Sequence, residues 1–280
     1  MTDTTNPLQK YFRVPKIFIK LPSEGKHYPM GAFEPTPTGE IPVYSMTAKD
    51  ELLLKTPDAL ISGQSTVDVI QSCVPNIKNA WAMPSVDLDA VLISIRQATY
   101  GNRMDFMSIC PHCNTKNEHS LDLGLLFSRI TSPDYSKTIT VDKLEFIFKP
   151  QTFKVINDTN RETYEQQKLI NVVTDETLSD AEKSEKFNKL FGQLLDITVK
   201  QVSDSVAGIK LTNGELVQNP QFIHEFFTNC EKHIWDAVKR HLENLTESMV
   251  TKNIDLTCEA EKCLKPYTTP LIFEQSSFFV

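Results

Sequence analysis

Two cysteine pairs, far apart in the chain, constrain the fold of this sequence more than any other feature. The first pair lies in Cys110-Pro-His-Cys113 and the second in Cys258-Glu-Ala-Glu-Lys-Cys263. A C-x2-C turn presents two thiolates to one tetrahedral ion, and a second pair supplies the other two ligands of a closed, structural zinc site. The pattern predicts that Cys110, Cys113, Cys258 and Cys263 hold a structural zinc ion, with no coordination position left for catalysis.

The distance between the pairs leaves the shared site a hypothesis. Between Cys113 and Cys258 lie 144 residues, whereas contiguous zinc ribbons have roughly 15 to 20 between their pairs. Short predicted strands flank both pairs: Met104–Ile109, His119–Leu123, Asn253–Thr257 and Thr268–Phe273. We expect one ribbon of three or four strands if the intervening helical segment leaves and returns at the same place.

The sequence also allows other roles for these cysteines. Unrelated thiols are one alternative, and a redox-active C-x-x-C is another, but the latter expects a helix N-terminus inside a βαβ unit rather than flanking strands. His112 could replace a cysteine ligand, although in a C-P-H-C turn we expect it to point outward. Cys73 and Cys230 fall in predicted helices and are interpreted as small buried hydrophobic residues.

Composition narrows the class of protein. The formal charge of −7 and pI near 5.4 argue against a protein whose main work is gripping nucleic acid, because phosphate binding needs clustered Lys and Arg. The N-terminus lacks the features of a secretory signal, and no apolar run approaches a membrane span. We therefore expect synthesis in the cytoplasm, where reducing conditions keep thiols available for a metal.

Capping residues, turn residues and apolar periodicity predict the elements. The predicted helices begin or lie at Thr47, Thr56 to Gly63, Thr66 to Val74, Ser85 to Gly101, Phe153 to Val173, Asp180 to Val202, Pro220 to Thr228 and Glu231 to Met249. The other predicted strands are Val14 to Lys20, Ile41 to Met46, Lys137 to Val141, Leu144 to Lys149 and the two arms of a hairpin over Ile209 to Val217. The Asp142-Lys143 pair predicts a tight turn, and Asn213-Gly214 predicts a type I′ turn.

These elements predict an α+β fold, with a mainly helical core, short β-hairpins and a discontinuous, zinc-ribbon-like four-cysteine module. One face of the Ser85 helix should be core, with Arg96 on another face, solvated or ion-paired. The predicted segments are an N-terminal arm with short strands (1–46), a helical segment (47–103), the first zinc knuckle with a hairpin (104–150), a helical segment with hairpin 209–217 (151–250), and the second knuckle with a C-terminal strand and tail (251–280).

Catalytic signatures are missing from the sequence. It contains no P-loop, G-x-S-x-G, H-E-x-x-H or G-x-G-x-x-G motif, and His224, His233 and His241 have no obvious paired nucleophile. Near the knuckles, basic residues are balanced by acidic ones: Lys116, Lys262 and Lys265 against Glu118, Glu259 and Glu261. We therefore do not expect an enzyme, and we do not expect nucleic-acid binding as the main function. The alternative function is a zinc-ribbon nucleic-acid-binding or regulatory protein.

Four stretches of the N-terminal half carry a family resemblance. They are Leu21-Pro-Ser-Glu-Gly-Lys-His-Tyr28, Tyr44-Ser-Met-Thr-Ala-Lys-Asp-Glu-Leu-Leu-Leu-Lys-Thr-Pro57 with Gly63 beyond, Asp68-Val-Ile-Gln-Ser-Cys-Val-Pro75, and Ile95-Arg-Gln-Ala-Thr-Tyr-Gly101 ahead of the first cysteine pair. Together they resemble the T4-type bacteriophage baseplate hub protein family of contractile-tailed phages. The C-terminal Pro270-Leu-Ile-Phe273 and Ser277-Phe-Phe279 are similar to the end of that family.

The resemblance implies a structural or assembly subunit of the viral baseplate, in the central hub region of the tail. It implies a virion location after synthesis in the host cytoplasm, other baseplate and tail proteins as partners, and possible multiple copies in a symmetric assembly or a homo-oligomer. It supplies no catalytic residues, and no membrane or nucleic-acid partner is expected. We further hypothesise that Lys10 to Leu21 and the tail Phe278 to Val280 contact neighbours or seal the ribbon.

Overall fold

The computed structural model describes residues 6–55, 62–173, 180–247 and 253–270, and their fold is α+β. The helices are α1 (Ala48–Leu54), α2 (Gln64–Cys73), α3 (Ser85–Tyr100), α4 (Leu123–Ser128), α5 (Phe153–Val173), α6 (Asp180–Asp204), α7 (Pro220–Asn229) and α8 (Lys232–Glu247). The strands are β1 (Pro15–Lys20), β2 (Glu40–Tyr44), β3 (Arg103–Ile109), β4 (Lys116–Asp122), β5 (Ile139–Val141), β6 (Leu144–Phe148), β7 (Val206–Lys210), β8 (Leu216–Val217), β9 (Asn253–Thr257) and β10 (Pro266–Pro270).

The chain divides into two compact units. Unit 1 contains Met1–Ala80, Asp87–Ile130 and Thr251–Val280, and unit 2 contains Trp81–Val86 and Thr131–Val250. Both cysteine pairs therefore belong to unit 1, and most of unit 2 lies between them in the sequence. The five-segment division of the sequence stays a prediction.

Unit 1 contains three antiparallel pairs of strands, β1–β2, β3–β4 and β9–β10, within its described residues. The start of α1 follows its sequence signal, because Thr47 and Asp50 form a capping box in which each side chain receives the other residue's backbone N–H. Gly63 precedes α2 with a φ of 77°, a conformation that glycine adopts without steric cost. The predicted helix from Thr56 lies largely outside the described residues.

Helix α3 differs from its prediction. We expected one core face, but seven consecutive residues, 90–96, are buried, so the helix is enclosed on every side. Arg96 is among them, with only 8% of its surface exposed and its guanidinium 5.3 Å from the ring centre of Tyr100. Of the two alternatives expected for Arg96, solvated or ion-paired, the solvated one is wrong, because apolar periodicity reports one favoured face and does not reveal what covers the others. The ion-paired alternative stays a prediction.

Unit 2 is built around a four-stranded antiparallel sheet in the order β5-β6-β7-β8. Its core contains residues from the sheet and from three helices: Phe146, Phe148, Val202, Val206, Ile209, Ile223, Phe227, Ile234, Val238 and Leu245. The predicted stripe of α8 is confirmed, since Ile234, Val238 and Leu245 are buried and Trp235 and Leu242 pack against the same cluster.

The two hairpin turns of unit 2 illustrate what a dipeptide can predict. Asp142 and Lys143 have φ values of 48° and 68°, which confirms a tight two-residue turn. The type I′ turn at Asn213-Gly214 is wrong, because in this turn only Gly214 has a positive φ, of 87°. The Leu211 N–H donates to Glu215 O at 2.8 Å, which leaves a three-residue loop, and Asn213 Oδ1 accepts from the Glu215 N–H at 2.9 Å.

The predicted closing strand from Thr268 is described only as far as Pro270, where β10 ends, and the tail from 271 to 280 lies outside the described residues. In the described part of the chain, no helix has the length and apolar character needed to cross a membrane.

Candidate metal centre

Each cysteine pair lies at the tip of a hairpin in unit 1. Strands β3 and β4 are paired as far as Ile109 and Lys116, and Cys110 and Cys113 occupy the turn between them. Strands β9 and β10 are paired as far as Thr257 and Pro266, and their turn contains Cys258 and Cys263. The two cysteine pairs therefore occupy the same position in their hairpins, the turn between two antiparallel strands.

The two turns share a backbone arrangement although their cysteines have different spacings. Cys110 N–H donates to Thr115 O, and Cys258 N–H donates to Lys265 O, both at 3.0 Å. The residue after the second cysteine is left-handed in each turn, with φ values of 57° for Asn114 and 49° for Leu264. Each turn therefore curls its two thiols toward the same point.

The four thiols form one cluster. All four Sγ atoms lie within 4.8 Å of one another, and the cluster could hold a metal ion. Two distances connect the hairpins: 3.5 Å from Cys113 to Cys258 and 3.9 Å from Cys110 to Cys263. A tetrahedral ion with Zn–S bonds of about 2.3 Å separates its sulfur ligands by about 3.8 Å. The donor set and its spacing therefore fit a zinc ion and exclude disulfides, which need about 2.05 Å.

The thiols differ in how readily they ionise. The Thr115 hydroxyl, 3.3 Å from Cys113 Sγ, and then the Thr115 backbone N–H stabilise the Cys113 thiolate and lower its pKa to about 6. Cys258 is fully buried, and its loss of hydration raises its pKa to about 11. Since a metal binds thiolates, an ion at this site must displace the Cys258 proton.

Buried polar side chains beside the thiols connect the two hairpins. Asn117 Oδ1 accepts from the Glu259 N–H at 2.9 Å, and Asn117 Nδ2 donates to Thr115 O at 3.1 Å. The Tyr267 hydroxyl lies 2.5 Å from Ser108 Oγ and 3.1 Å from His119 Nε2. These contacts join β10 to β3 and β4. None of these contacts was predicted from the sequence, although strand alternation places Ser108, Asn117 and His119 on the inward face.

Comparison with known proteins adds a family to this geometry. A protein-family model described as T4 bacteriophage base plate protein matches residues 14–280. The chain belongs to this family. Membership confirms the resemblance to T4-type baseplate proteins and implies a virion tail location and contacts with other phage tail and baseplate proteins. No curated protein and no solved structure matches the chain.

His112 of this baseplate protein is outside the thiol cluster. The residue is exposed, and its Nε2 lies 3.3 Å from Pro266 O, so the ring donates to the opposite hairpin and is not part of the group of four thiols. The outward orientation expected for His112 agrees with this position.

The strands of the two hairpins do not share a sheet. We expected them to complete one ribbon of three or four strands, and in the described residues β3–β4 and β9–β10 are separate two-stranded sheets. Side-chain contacts, rather than backbone hydrogen bonds between sheets, therefore bring the cysteine pairs together in the described residues. The zinc-ribbon character of the four-cysteine module stays a prediction.

The three C-terminal histidines have structural neighbours. His233 Nε2 contacts Asp142 Oδ2 at 2.5 Å, the His241 ring is tilted by 35° against Phe148 with ring centres 4.5 Å apart, and His224 Nδ1 lies 3.5 Å from Ser203 Oγ. The Ser203 hydroxyl donates to Val199 O at 2.7 Å. These contacts give no support for an activated nucleophile, in keeping with the structural role that the family suggests.

Proposed function

We propose that this chain is a structural or assembly subunit of the central hub region of a contractile phage tail baseplate. The family match over residues 14–280 supports a baseplate protein. The hub position rests on the resemblance of the N-terminal stretches to the hub family. In this proposal the protein acts through contacts with other tail proteins, without catalysis, in one or several copies, after synthesis in the host cytoplasm.

We further propose that Cys110, Cys113, Cys258 and Cys263 bind a structural zinc ion. The observation that carries this proposal is the meeting of four thiols from two hairpins that are 144 residues apart in the sequence. The ion would form two bonds to each hairpin, and with four thiolate ligands it would have no open coordination position for a reaction. Its effect would be to fix the C-terminal hairpin on the first one, at the two ends of the segment that contains most of unit 2. We also propose that the five segments predicted from the sequence, 1–46, 47–103, 104–150, 151–250 and 251–280, are structural subdivisions of the chain.

Metal analysis of freshly purified protein tests the zinc proposal. We expect one zinc ion per chain by mass spectrometry of the metals, and loss of zinc in Cys113→Ser and in Cys258→Ser. Cys230→Ser is the matched control, because Cys230 packs against the core of unit 2. Wild-type protein without zinc, or a Cys230→Ser variant that loses it equally, would contradict the proposal.

Electron-microscopic density of an intact baseplate tests the hub position. We expect the chain near the tail axis, in contact with neighbouring tail proteins. Absence from both particles and tail intermediates, together with salt-sensitive retention of DNA or RNA by the purified chain, would instead favour the nucleic-acid-binding alternative.

A further inference from the structure

The segment from Pro7 to Lys20 presents large apolar side chains to solvent. The 3-10 turn Pro7–Tyr11 buries none of its residues. Five large hydrophobic residues of the segment are exposed over 59% to 74% of their surface: Leu8, Tyr11, Phe12, Val14 and Phe18. A segment that buries so little apolar surface within its own unit is typical of an interaction site.

An internal anchor fixes this segment to the body of unit 1. The guanidinium of Arg13 donates to Ser45 O and to Ser72 O, each at 2.7 Å, and to Ser72 Oγ at 2.8 Å. It also lies 3.4 Å from Asp50, whose side chain is only 5% exposed. The exposed residues on either side of Arg13 are therefore held on a fixed base, which reduces the entropy that a partner must overcome on binding.

Strand β1 forms the C-terminal part of this segment, and in the described residues one of its edges is not paired with another strand. In the described part of the chain β1 is hydrogen-bonded on one side only, to β2. Alternate residues of β1 therefore direct their N–H and C=O groups at a free edge that can accept another strand. Lys16, Phe18 and Lys20 are the exposed residues of β1, so an added strand would meet an aromatic ring between two ammonium groups.

The charge of the segment indicates which strand would fit. Besides Arg13, which is paired with Asp50 inside unit 1, residues 7–20 contain three lysines and no Asp or Glu, although the whole chain has 29 basic and 36 acidic residues. Pairing of two copies through β1 would place lysines against lysines, which is destabilising. An incoming strand with carboxylates beside Lys16 and Lys20 would be favoured instead.

We propose that the β1 edge, with the adjacent arm 7–14, docks an extended segment of another baseplate protein in which acidic and apolar residues alternate. Backbone hydrogen bonds to β1 would supply affinity, and Phe18 with its two lysines would supply selectivity. The proposal rests on the proposed baseplate role only for the source of the partner, and it is independent of the zinc site.

Peptide binding to the full chain tests this inference. The probes are two dye-labelled peptides of about eight residues, one alternating glutamate with valine and the other lysine with valine, measured by fluorescence anisotropy. We expect the wild-type chain to prefer the glutamate peptide by about tenfold, and the double variant Lys16→Glu, Lys20→Glu to prefer the lysine peptide. A reversed preference cannot arise from misfolding.

Phe18→Ser should weaken binding of the glutamate peptide by about tenfold or more, because the aromatic contact is lost. Phe222→Ser is the matched control, since Phe222 is 60% exposed in unit 2 and Phe18 is 61% exposed. Binding of neither peptide, or equal loss in both variants, would overturn the proposal.

Tighter binding of single-stranded DNA through Phe18 would assign the surface to nucleic acid, and a Phe18-dependent dimer in sedimentation would assign it to a second copy. Either result would also overturn the proposal.

Discussion

Leu264 has a backbone conformation that its side chain disfavours. Its φ is 49° and it is 61% exposed, whereas the equivalent position in the first turn holds Asn114, a residue that tolerates this conformation. Leu264→Asn should therefore raise the free energy of unfolding by about 1 kcal/mol, measured by urea unfolding.

Leu125→Asn is the control for this substitution. Leu125 is 63% exposed, but it lies in α4, where asparagine is a poorer helix former than leucine. We expect no gain in stability from this control. Destabilisation by Leu264→Asn would show that the apolar contacts of Leu264 outweigh its backbone strain.

Asp87 is a fully buried carboxyl group in unit 1. It accepts the Ser23 N–H at 2.8 Å and hydrogen bonds from the Ser23 and Tyr28 hydroxyls. Burial raises the pKa of Asp87 above its usual value, although the hydrogen bonds from Ser23 and Tyr28 oppose this shift. The folded state therefore takes up a proton at a higher pH than the unfolded state does.

Because the folded pKa is raised, the contribution of Asp87 to stability grows as pH falls through that pKa and is lost as pH rises. We predict that the unfolding free energy of the wild type, relative to Asp87→Asn, increases as the pH is lowered from neutral toward about pH 4, the ordinary pKa of an aspartate. Urea unfolding of both proteins across this pH range measures the difference. The opposite slope would mean that the hydrogen bonds outweigh desolvation and that the folded pKa is lowered.

At the scale of elements, Tyr267 links strand β10 to the first hairpin through its buried hydroxyl. Tyr267→Phe removes the partner of Ser108 and His119 and leaves their polar groups unpaired. We expect a loss of about 1 to 3 kcal/mol in urea unfolding. If zinc is bound, its release to a competing chelator should also be faster.

Tyr11→Phe controls for removal of a hydroxyl at an exposed site, since Tyr11 is 74% exposed. Its stability should equal that of the wild type within error. Equal stability and equal zinc release for Tyr267→Phe would mean that these hydrogen bonds do not hold the hairpins together.

The accuracy of each element prediction depends on how far apart in the sequence the interacting residues lie. The start of α1 was predictable because Thr47 and Asp50 are three residues apart, and the tight turn at Asp142 depends on two residues. The type I′ prediction for Asn213-Gly214 was wrong because the Asn213 side chain accepts a hydrogen bond from the Glu215 N–H. This bond favours a three-residue loop, which a rule based on the Asn-Gly dipeptide alone does not consider. The sheet arrangement of the two cysteine hairpins depends on contacts between distant segments, which no local pattern encodes.

At the scale of the whole molecule, the two units differ in their dependence on the thiol cluster. All four cysteines of the cluster lie in unit 1, while the core of unit 2 is closed by its own apolar residues. If the proposed zinc ion is bound, chelation should therefore increase hydrogen exchange in residues 103–122 and 253–270, with little change in 144–148 and 206–210. Mass spectrometry of the exchanged protein, with and without chelator, measures both regions.

A variant in which Cys110, Cys113, Cys258 and Cys263 are all replaced by serine is the reference for this experiment, because chelator should change its hydrogen exchange nowhere. An equal increase in both units on chelation of the wild type would contradict the independence of the unit 2 core.

The sequence by itself determined which residues form the candidate metal centre, the positions of the turns and caps, and most element boundaries. These properties depend on residues within a few positions of one another, where backbone geometry leaves few alternatives. Its motifs also indicated the baseplate family that the match over residues 14–280 confirms.

Only the tertiary structure decided that the four thiols meet, that Arg96 is buried, and that Asp87 binds Ser23, 64 residues earlier in the chain. It also revealed the fixed base of the exposed N-terminal segment, in which Arg13 reaches Ser72. Such contacts form when distant segments are brought together by packing of the whole unit, so no local pattern in the sequence specifies them.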